Sequence, residues 1–246
     1  MVHVTIWLSD TFFYTLVRHV LMDELTFRPL RYRNRWFAYL DLLGFTELVQ
    51  SKAIEEVLPV YADALKRMHQ ACRLGKEEAG LLYSWFSDTF IIYSGSDSLQ
   101  DFARVESAAR IFFQLLLAKH IPVRGCISSG LLYSQARRNV FVGPALIEAH
   151  LYGEALDWVG FCLAPSVEEK LKAHLPLDQR AHYRKIDDRN VLRKAPASHV
   201  YAFAFNNGTV NGHNPYEKWL ESMKNASPKA VHIKYENALA FLRKHA

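Results

Sequence analysis

Hydrophobic residues in this chain fall into a few short unbroken runs, joined by longer stretches in which they recur at helical spacing. The first run is Trp36-Phe-Ala-Tyr-Leu-Asp-Leu-Leu43, apolar but for one carboxylate and followed by Gly44-Phe45-Thr46. A run of this length bounded by glycine predicts a buried strand and a tight turn. From Glu47 to about Leu74 the positions Leu48, Val49, Ile54, Val57, Leu58, Tyr61, Leu65 and Met68 predict a helix, with Pro59 as the point where it kinks or splits. Leu81 to Ser87 and Thr89 to Ser94 read as strands on either side of Ser87-Asp88, and Gly95-Ser96-Asp97 as a turn. Asp97 or Ser98 is placed to cap a helix that runs to about Lys119. Pro122 to Ser128 predicts a fourth strand closed by Gly130, and a loose hairpin carries Arg137, Arg138 and Asn139. Gly143-Pro144 then opens a helix containing Glu148 and Glu154, with proline suited to a first turn.

The resulting order, strand, helix, two strands, helix, strand, then hairpin and helix, predicts an α+β fold built on a ferredoxin-like βαββαβ core. The core is expected over residues 35–165, after a peripheral N-terminal extension at 1–34. Residues 166–246, more polar and basic, are expected to pack on it as a mostly helical appendage ending in two helices separated by Ser227-Pro228. The 246 residues, half of them hydrophobic and 22% charged, suit a packed globular chain and exclude a disordered one. Val2 to Met22 is fairly apolar, but Asp10, Arg18 and His19 interrupt it. A spanning helix of roughly 20 apolar residues is therefore not expected, nor is a signal peptide, which needs a basic start and a small-residue cleavage site. Three cysteines without close spacing argue against a disulfide framework or zinc and for a reducing cytoplasm. Eleven scattered histidines form no metal-binding pair, and a net charge of +5 suits a polyanionic ligand without choosing one.

Two carboxylates carry the chemistry. Asp41 sits inside an apolar strand, where an unpaired charge is costly. Asp88 lies between two strongly β-forming runs. In a ferredoxin-like sheet the first strand lies beside the central hairpin, so both carboxylates reach one point at the sheet's edge, as Mg²⁺ or Mn²⁺ would require of hard oxygen ligands. The plainer roles are a turn cap for Asp41 and a hairpin-turn residue for Asp88; the pairing in this element order favours metal.

These residues resemble the class III nucleotidyl cyclases. Phe37-Ala-Tyr-Leu-Asp41-Leu-Leu-Gly44-Phe45 is similar to that family's Phe-x-x-x-Asp-x-x-Gly-Phe strand, and Ser87-Asp88-Thr89-Phe90 to its Gly-Asp-x-Phe/Tyr hairpin, with Ser for Gly. Arg124-Gly125-Cys126-Ile127-Ser128-Ser129-Gly130 is similar to its Arg-x-Gly-Ile-x-x-Gly strand with a one-residue difference. The likeness covers roughly residues 36 to 155. The residue four positions before the second aspartate, which reads the purine as Lys or Glu in the family, is Ser84 here. The positions of the family's ribose Asn and transition-state Arg hold Ile147 and Leu151. The forms Tyr-Leu-Asp-x-Leu-Gly-Phe and Gly-Pro-Ala-Leu-Ile-Glu-Ala, with the C-terminal Asn225-Ala-Ser-Pro-Lys-Ala-Val-x-x-Lys234-Tyr235, look like the bacterial branch that includes the pyrimidine cyclases of Pycsar antiphage defence.

The resemblance implies conversion of a nucleoside triphosphate to a 3′,5′-cyclic nucleotide and pyrophosphate, with UTP favoured, CTP next, and a downstream effector that senses the product. It implies two Mg²⁺ or Mn²⁺ ions held by Asp41, Asp88 and the backbone carbonyl of Leu42. It places Gly44, Phe45 and Thr46 at the triphosphate, and Tyr39, Phe45 and Ser84 at the nucleotide. Arg137 or Arg138 would stand in for the missing arginine. Arg124 is read as a structural residue of the sheet, with phosphate contact as its other role, and Glu148 as part of a solvated helix face. Sites in that family form between two catalytic domains, so one domain per chain implies a homodimer. A purine cyclase with atypical base reading and an inactive nucleotide sensor are the alternatives. A nucleic-acid binder using Arg31-Tyr32-Arg33-Asn34-Arg35-Trp36 is disfavoured by the aspartates.

Overall fold

Tyr32–Leu42 forms strand β1, and its near-continuous burial from Arg35 to Leu42 follows from its place inside the sheet. In this computed structural model, which describes residues 32–51, 53–72, 81–135, 138–174, 176–206 and 214–245, β1 lies between β3 (Thr89–Ser94) and β4 (Val123–Gln135), antiparallel to both. The order of the eight-stranded sheet is β2-β3-β1-β4-β6-β8-β7, with β5 (Val140–Val142) paired to β4. β2 (Leu81–Phe86) makes the outer strand of the hairpin with β3. The predicted N-terminal extension falls, up to residue 31, outside the described residues.

Alternation along β1 divides its apolar residues between the two faces of the sheet. Trp36, Ala38, Leu40 and Leu42 join the main core with Tyr61 and Met68 of α2 (Ile54–Cys72) and Phe102, Phe112 and Phe113 of α3 (Leu99–Ala118). Phe37 and Tyr39 pack on the opposite face with Ile91, Tyr93, Ala145 and Ala149, the last two from α4 (Pro144–Ala155). The expected caps hold: the Ser98 hydroxyl accepts from the Asp101 amide at the start of α3, and Pro144 lies in the first turn of α4. The helix expected from Glu47 onward is two, α1 (Phe45–Ser51) and α2, and α2 runs through Pro59. β4 runs through Gly130, the expected end of the fourth strand, and pairs with β1 along all eleven residues of that strand.

The chain after residue 166 does more than cover the core with helices. β6 (Gly160–Leu163), just before it, lies parallel to β4, and within it β8 (Val200–Phe203) and β7 (Tyr183–Ile186) extend the same sheet. Strands of four residues give too short a pattern to read from sequence. The buried Tyr183 hydroxyl donates to Glu106 Oε1 of α3 at 3.0 Å, and Arg110 Nε donates to the same oxygen at 2.9 Å. Burial beside this carboxylate pushes the Tyr183 phenol well up.

Two further helices, α6 (Pro215–Ala226) and α7 (His232–His245), follow α5 (Pro165–Leu171) and β8, separated at Ser227-Pro228 as the sequence indicates. α7 buries Tyr235, Ala238, Leu239, Phe241 and Leu242. It is pinned to the α4–β6 connection by Val159 N–H donating to the Lys234 carbonyl (3.2 Å) and Asn237 Nδ2 donating to the Asp157 carbonyl (2.7 Å). Among the described residues no helix is long and apolar enough to cross a membrane.

Candidate active site

β1 ends at Leu42, and the hairpin turn between β2 and β3 comes back beside that end. Asp41 is paired with Thr89, and the Leu42 amide donates to the Asp88 carbonyl at 3.0 Å. The register thus fixes two aspartates side by side on one edge. The turn is made by Ser87 and Asp88, with Ser87 at φ +54, a left-handed conformation that costs an L-residue about 1 kcal/mol or more. Trp85 Nε1 donates to the Ser87 carbonyl and holds this geometry. Ser87→Gly is therefore expected to stabilise the hairpin by about 1 kcal/mol, less the added chain entropy of glycine, with thermal unfolding as the readout; a lower melting temperature would show that Ser87 is unstrained.

Asp41, Leu42, Gly44, Phe45, Thr46 and Asp88 line one cavity of about 360 Å³. Gly44 takes φ +73 in the turn that leads from β1 into α1. The first backbone N–H groups of a helix have no partner within it, so those of α1 are available at this wall. Arg124, on the neighbouring strand β4, contributes to the cavity and donates from Nε to Asp41 Oδ2 at 2.8 Å. Its NH2 pairs with Glu154 Oε2 of α4 at 2.5 Å. Arg124 is thus in the site itself, bridging β1 to α4. Two glycines make room here: a Cβ on Gly125 would lie 2.3 Å from the Tyr39 carbonyl of the neighbouring strand β1, and one on Gly153 of α4 would lie 2.9 Å from the Tyr39 ring, so the close packing of α4 on the sheet depends on Gly153. Burial raises the Asp41 carboxyl above its usual range, Arg124 opposes this, and the nearby charge of Asp88 adds to the rise.

Repulsion between two neighbouring carboxylates is relieved by a divalent cation. Asp41, Leu42 and Asp88 line this one cavity, and carboxylate and backbone carbonyl oxygens are the hard donors that Mg²⁺ or Mn²⁺ prefers. No hydrogen bond reaches Asp41 Oδ1 among the described residues, so one oxygen is uncommitted while Arg124 holds the other. Among the described residues no three of His, Cys, Asp and Glu converge on a metal-sized site. Phosphate and water would have to complete the shell.

A second cavity, of about 430 Å³, is lined by Tyr39, Ser84, Phe86, Thr89, Asn139 and His150, among others. Thr89, the strand partner of Asp41, belongs to it, so the two cavities adjoin at that pair. The Ser84 hydroxyl donates to Asn139 Oδ1 at 2.9 Å. Tyr39 is packed edge-on against His150 and its hydroxyl donates to Glu154 Oε1 at 3.4 Å; burial, reinforced by Asp41, pushes its phenol up to about 12.

The sequence reading is therefore divided between two neighbouring cavities: Asp41, Leu42, Gly44, Phe45, Thr46 and Asp88 in one, and Tyr39 and Ser84 in the other. Phe45, expected at the nucleotide as well as the triphosphate, lies with the aspartates. Arg138 lines neither, and Arg137 falls outside the described residues. Glu148 is not a merely solvated residue, since its Oε1 accepts from the Ser166 amide at 3.2 Å. Several residues at the site lie outside the expected set, Ser227 and Pro228 among them. Glu154 was seen only as a helix residue, and Lys234 and Tyr235 of α7 line the aspartate cavity. The C-terminal motif beginning at Asn225 was the available signal for the last two.

No protein-family model matches the chain, and no curated protein matches it in sequence. Solved structures do match its fold. One is the non-canonical dimeric guanylyl cyclase domain of the RhoGC fusion protein from the aquatic fungus Blastocladiella emersonii, at TM-score 0.50 and 11% identity, covering 70% of this chain and 94% of that one. Another is the catalytic core of a rhodopsin-guanylyl cyclase with converted specificity in complex with ATPalphaS, also at TM-score 0.50 and 11% identity, covering 70% of this chain and 95% of that one. The architecture is the class III cyclase fold.

Proposed function

We propose that the protein is a pyrimidine nucleotide cyclase, converting UTP, and CTP next, to the 3′,5′-cyclic monophosphate and pyrophosphate. The observation that carries this reading is the placement of Asp41 and Asp88 on one cavity wall by the Leu42–Asp88 backbone hydrogen bond. The solved neighbours are a guanylyl cyclase domain and a cyclase core that binds an ATP analogue, consistent with a triphosphate substrate.

Asp41, Asp88 and the Leu42 carbonyl would hold two Mg²⁺ or Mn²⁺ ions. When bound, the ions would lower the pKa of the ribose 3′-hydroxyl and offset the charge of the leaving pyrophosphate. The triphosphate lies in the aspartate cavity, against the Gly44–Thr46 turn and Arg124, and the nucleoside extends past Thr89 into the second cavity. Where the two cavities adjoin, the 3′-oxygen gives up its proton to water and attacks the α-phosphorus in line, and the bond from that phosphorus to the bridging oxygen of the leaving pyrophosphate breaks. Ser84 supports a pyrimidine, because it removes the charged side chain used for purines in the related family. With Asn139 it leaves a neutral hydroxyl–amide pair, which offers both a donor and an acceptor to the edge of uracil or cytosine. Phe86 and Tyr39 provide apolar surface for the base. The site is completed by a second copy of the chain, and the cyclic product serves as the messenger to an effector in antiviral defence.

Incubation with each of the four nucleoside triphosphates and Mn²⁺, followed by chromatography of the products, is expected to give a cyclic pyrimidine nucleotide. Product from ATP or GTP alone would overturn the pyrimidine assignment. Tight triphosphate binding without pyrophosphate release would indicate the nucleotide-sensing alternative.

A further inference from the structure

The C-terminal helical pair closes one side of the aspartate cavity. Ser227 and Pro228 from the turn after α6, and Lys234 and Tyr235 from α7, stand in its wall together with Asp41 and Asp88. This wall is well fixed. The Lys234 carbonyl accepts the Val159 amide, Tyr235 is buried, and Asn237 is bonded to the Asp157 carbonyl. The backbone that presents Lys234 therefore cannot swing away without undocking α7 from the α4–β6 connection.

Charge gives this placement its meaning. The cavity holds the carboxylates of Asp41, Glu47 and Asp88 and the cations Arg124 and Lys234. Arg124 is already engaged by Asp41 and Glu154. Among the described residues Lys234 has no ion-pair partner, although exposed carboxylates elsewhere find one: Glu236, two residues along the same helix, pairs with Lys224. A lysine that lines an acidic cavity and has no ion-pair partner among the described residues is suited to a compact polyanion. The position where the related cyclases carry an arginine is Leu151, so helix α4 does not provide this charge.

We infer that Lys234 binds the terminal phosphates of the substrate and of the pyrophosphate product, so that the C-terminal helical pair is part of the active site of its own chain. This deepens the cyclase reading and rests on it for the identity of the ligand. Because a lysine contact to the outer phosphates is made before and during bond cleavage, its removal acts mainly on binding and leaves a smaller effect on kcat.

The test uses the full chain and two probes, Mg²⁺-pyrophosphate in calorimetric titration and the nucleoside triphosphate in turnover. Lys234→Gln is expected to weaken pyrophosphate binding about tenfold, the scale of one charge-assisted hydrogen bond, and to raise KM in proportion. Lys234→Arg should restore most of the affinity. Lys224→Gln, on the neighbouring helix but outside the cavity, should leave both unchanged. Equal pyrophosphate affinity of Lys234→Gln and the unmodified protein, with cyclisation intact, would overturn the role of Lys234 and leave the cyclase reading standing. Weakened pyrophosphate binding without cyclisation of any triphosphate would support the Lys234 site and overturn the cyclase reading. Absence of pyrophosphate and triphosphate binding by the unmodified protein would overturn both.

Discussion

Asp88→Ala is expected to leave a folded protein whose nucleotide turnover is reduced on the order of 10³-fold or more. The structure separates the two roles of this residue. Its backbone carbonyl accepts the Leu42 amide and fixes the end of β1, and alanine keeps that bond. Its carboxylate only lines the cavity, so the substitution removes the proposed metal ligand and little else. Asp41→Ala is expected to be equally inactive but less stable. It takes a carboxylate from a nearly buried Arg124, leaving Glu154 as its one acidic partner, and part of the Arg124 desolvation is then uncompensated. Loss of 1 kcal/mol or more, on the order seen for partly buried pairs, should appear as a lower melting temperature for Asp41→Ala and not for Asp88→Ala. Turnover within about tenfold of normal in a folded Asp88→Ala protein would refute the metal assignment.

That contrast shows how the sequence both revealed and concealed this site. Asp41 was legible because a single carboxylate interrupts an apolar run, a cost that demands a partner or an ion. Asp88 was legible from the sharp break between two β-forming runs, although as a turn residue with Ser87 beside it rather than as a strand residue. The ferredoxin-like order could be read because its helices and strands are long enough to show their periods. The partner of Asp41 was harder to see. Arg124 lies 83 positions away, and only the register Asp41–Arg124 between β1 and β4 makes them neighbours. Likewise the extension of the sheet by β7 and β8 rests on four-residue segments whose pairing is decided by tertiary contacts, such as Tyr183 with Glu106. Lys234 follows the same logic: its helix is legible, but which wall of which cavity that helix closes is a matter of long-range packing.

The second large effect concerns the surface around α4. Val142, Ile147 and Leu151 are 61%, 64% and 45% exposed, and Phe86, which lines the cavity shared by Tyr39 and Ser84, is 77% exposed. Ile147 and Leu151 are one helical turn apart on one face of α4, and Val142 lies just before the Gly143–Pro144 start of that helix. Single exposed apolar residues are ordinary, whereas a contiguous group beside a ligand cavity marks an interface. Ile147 and Leu151 are also the positions that the sequence resemblance aligns with the ribose Asn and transition-state Arg of the class III cyclases, so apolar surface stands there instead of polar groups. A two-fold dimer would bury the patch against its own copy, and any charge placed in it would enter the interface twice. Ile147→Glu is accordingly expected to weaken dimerisation by about 2–4 kcal/mol, roughly 30- to 1,000-fold in dissociation constant. Light scattering at micromolar concentration should then show a monomer, and turnover should fall together with the dimer fraction, because the proposed site is completed by the second copy. Recovery of turnover at high protein concentration would confirm that assembly, and not the side chain of residue 147, is what the reaction needs. A dimer of unchanged stability in Ile147→Glu would place the interface elsewhere, and a monomer of unchanged activity would mean that each chain holds a complete site.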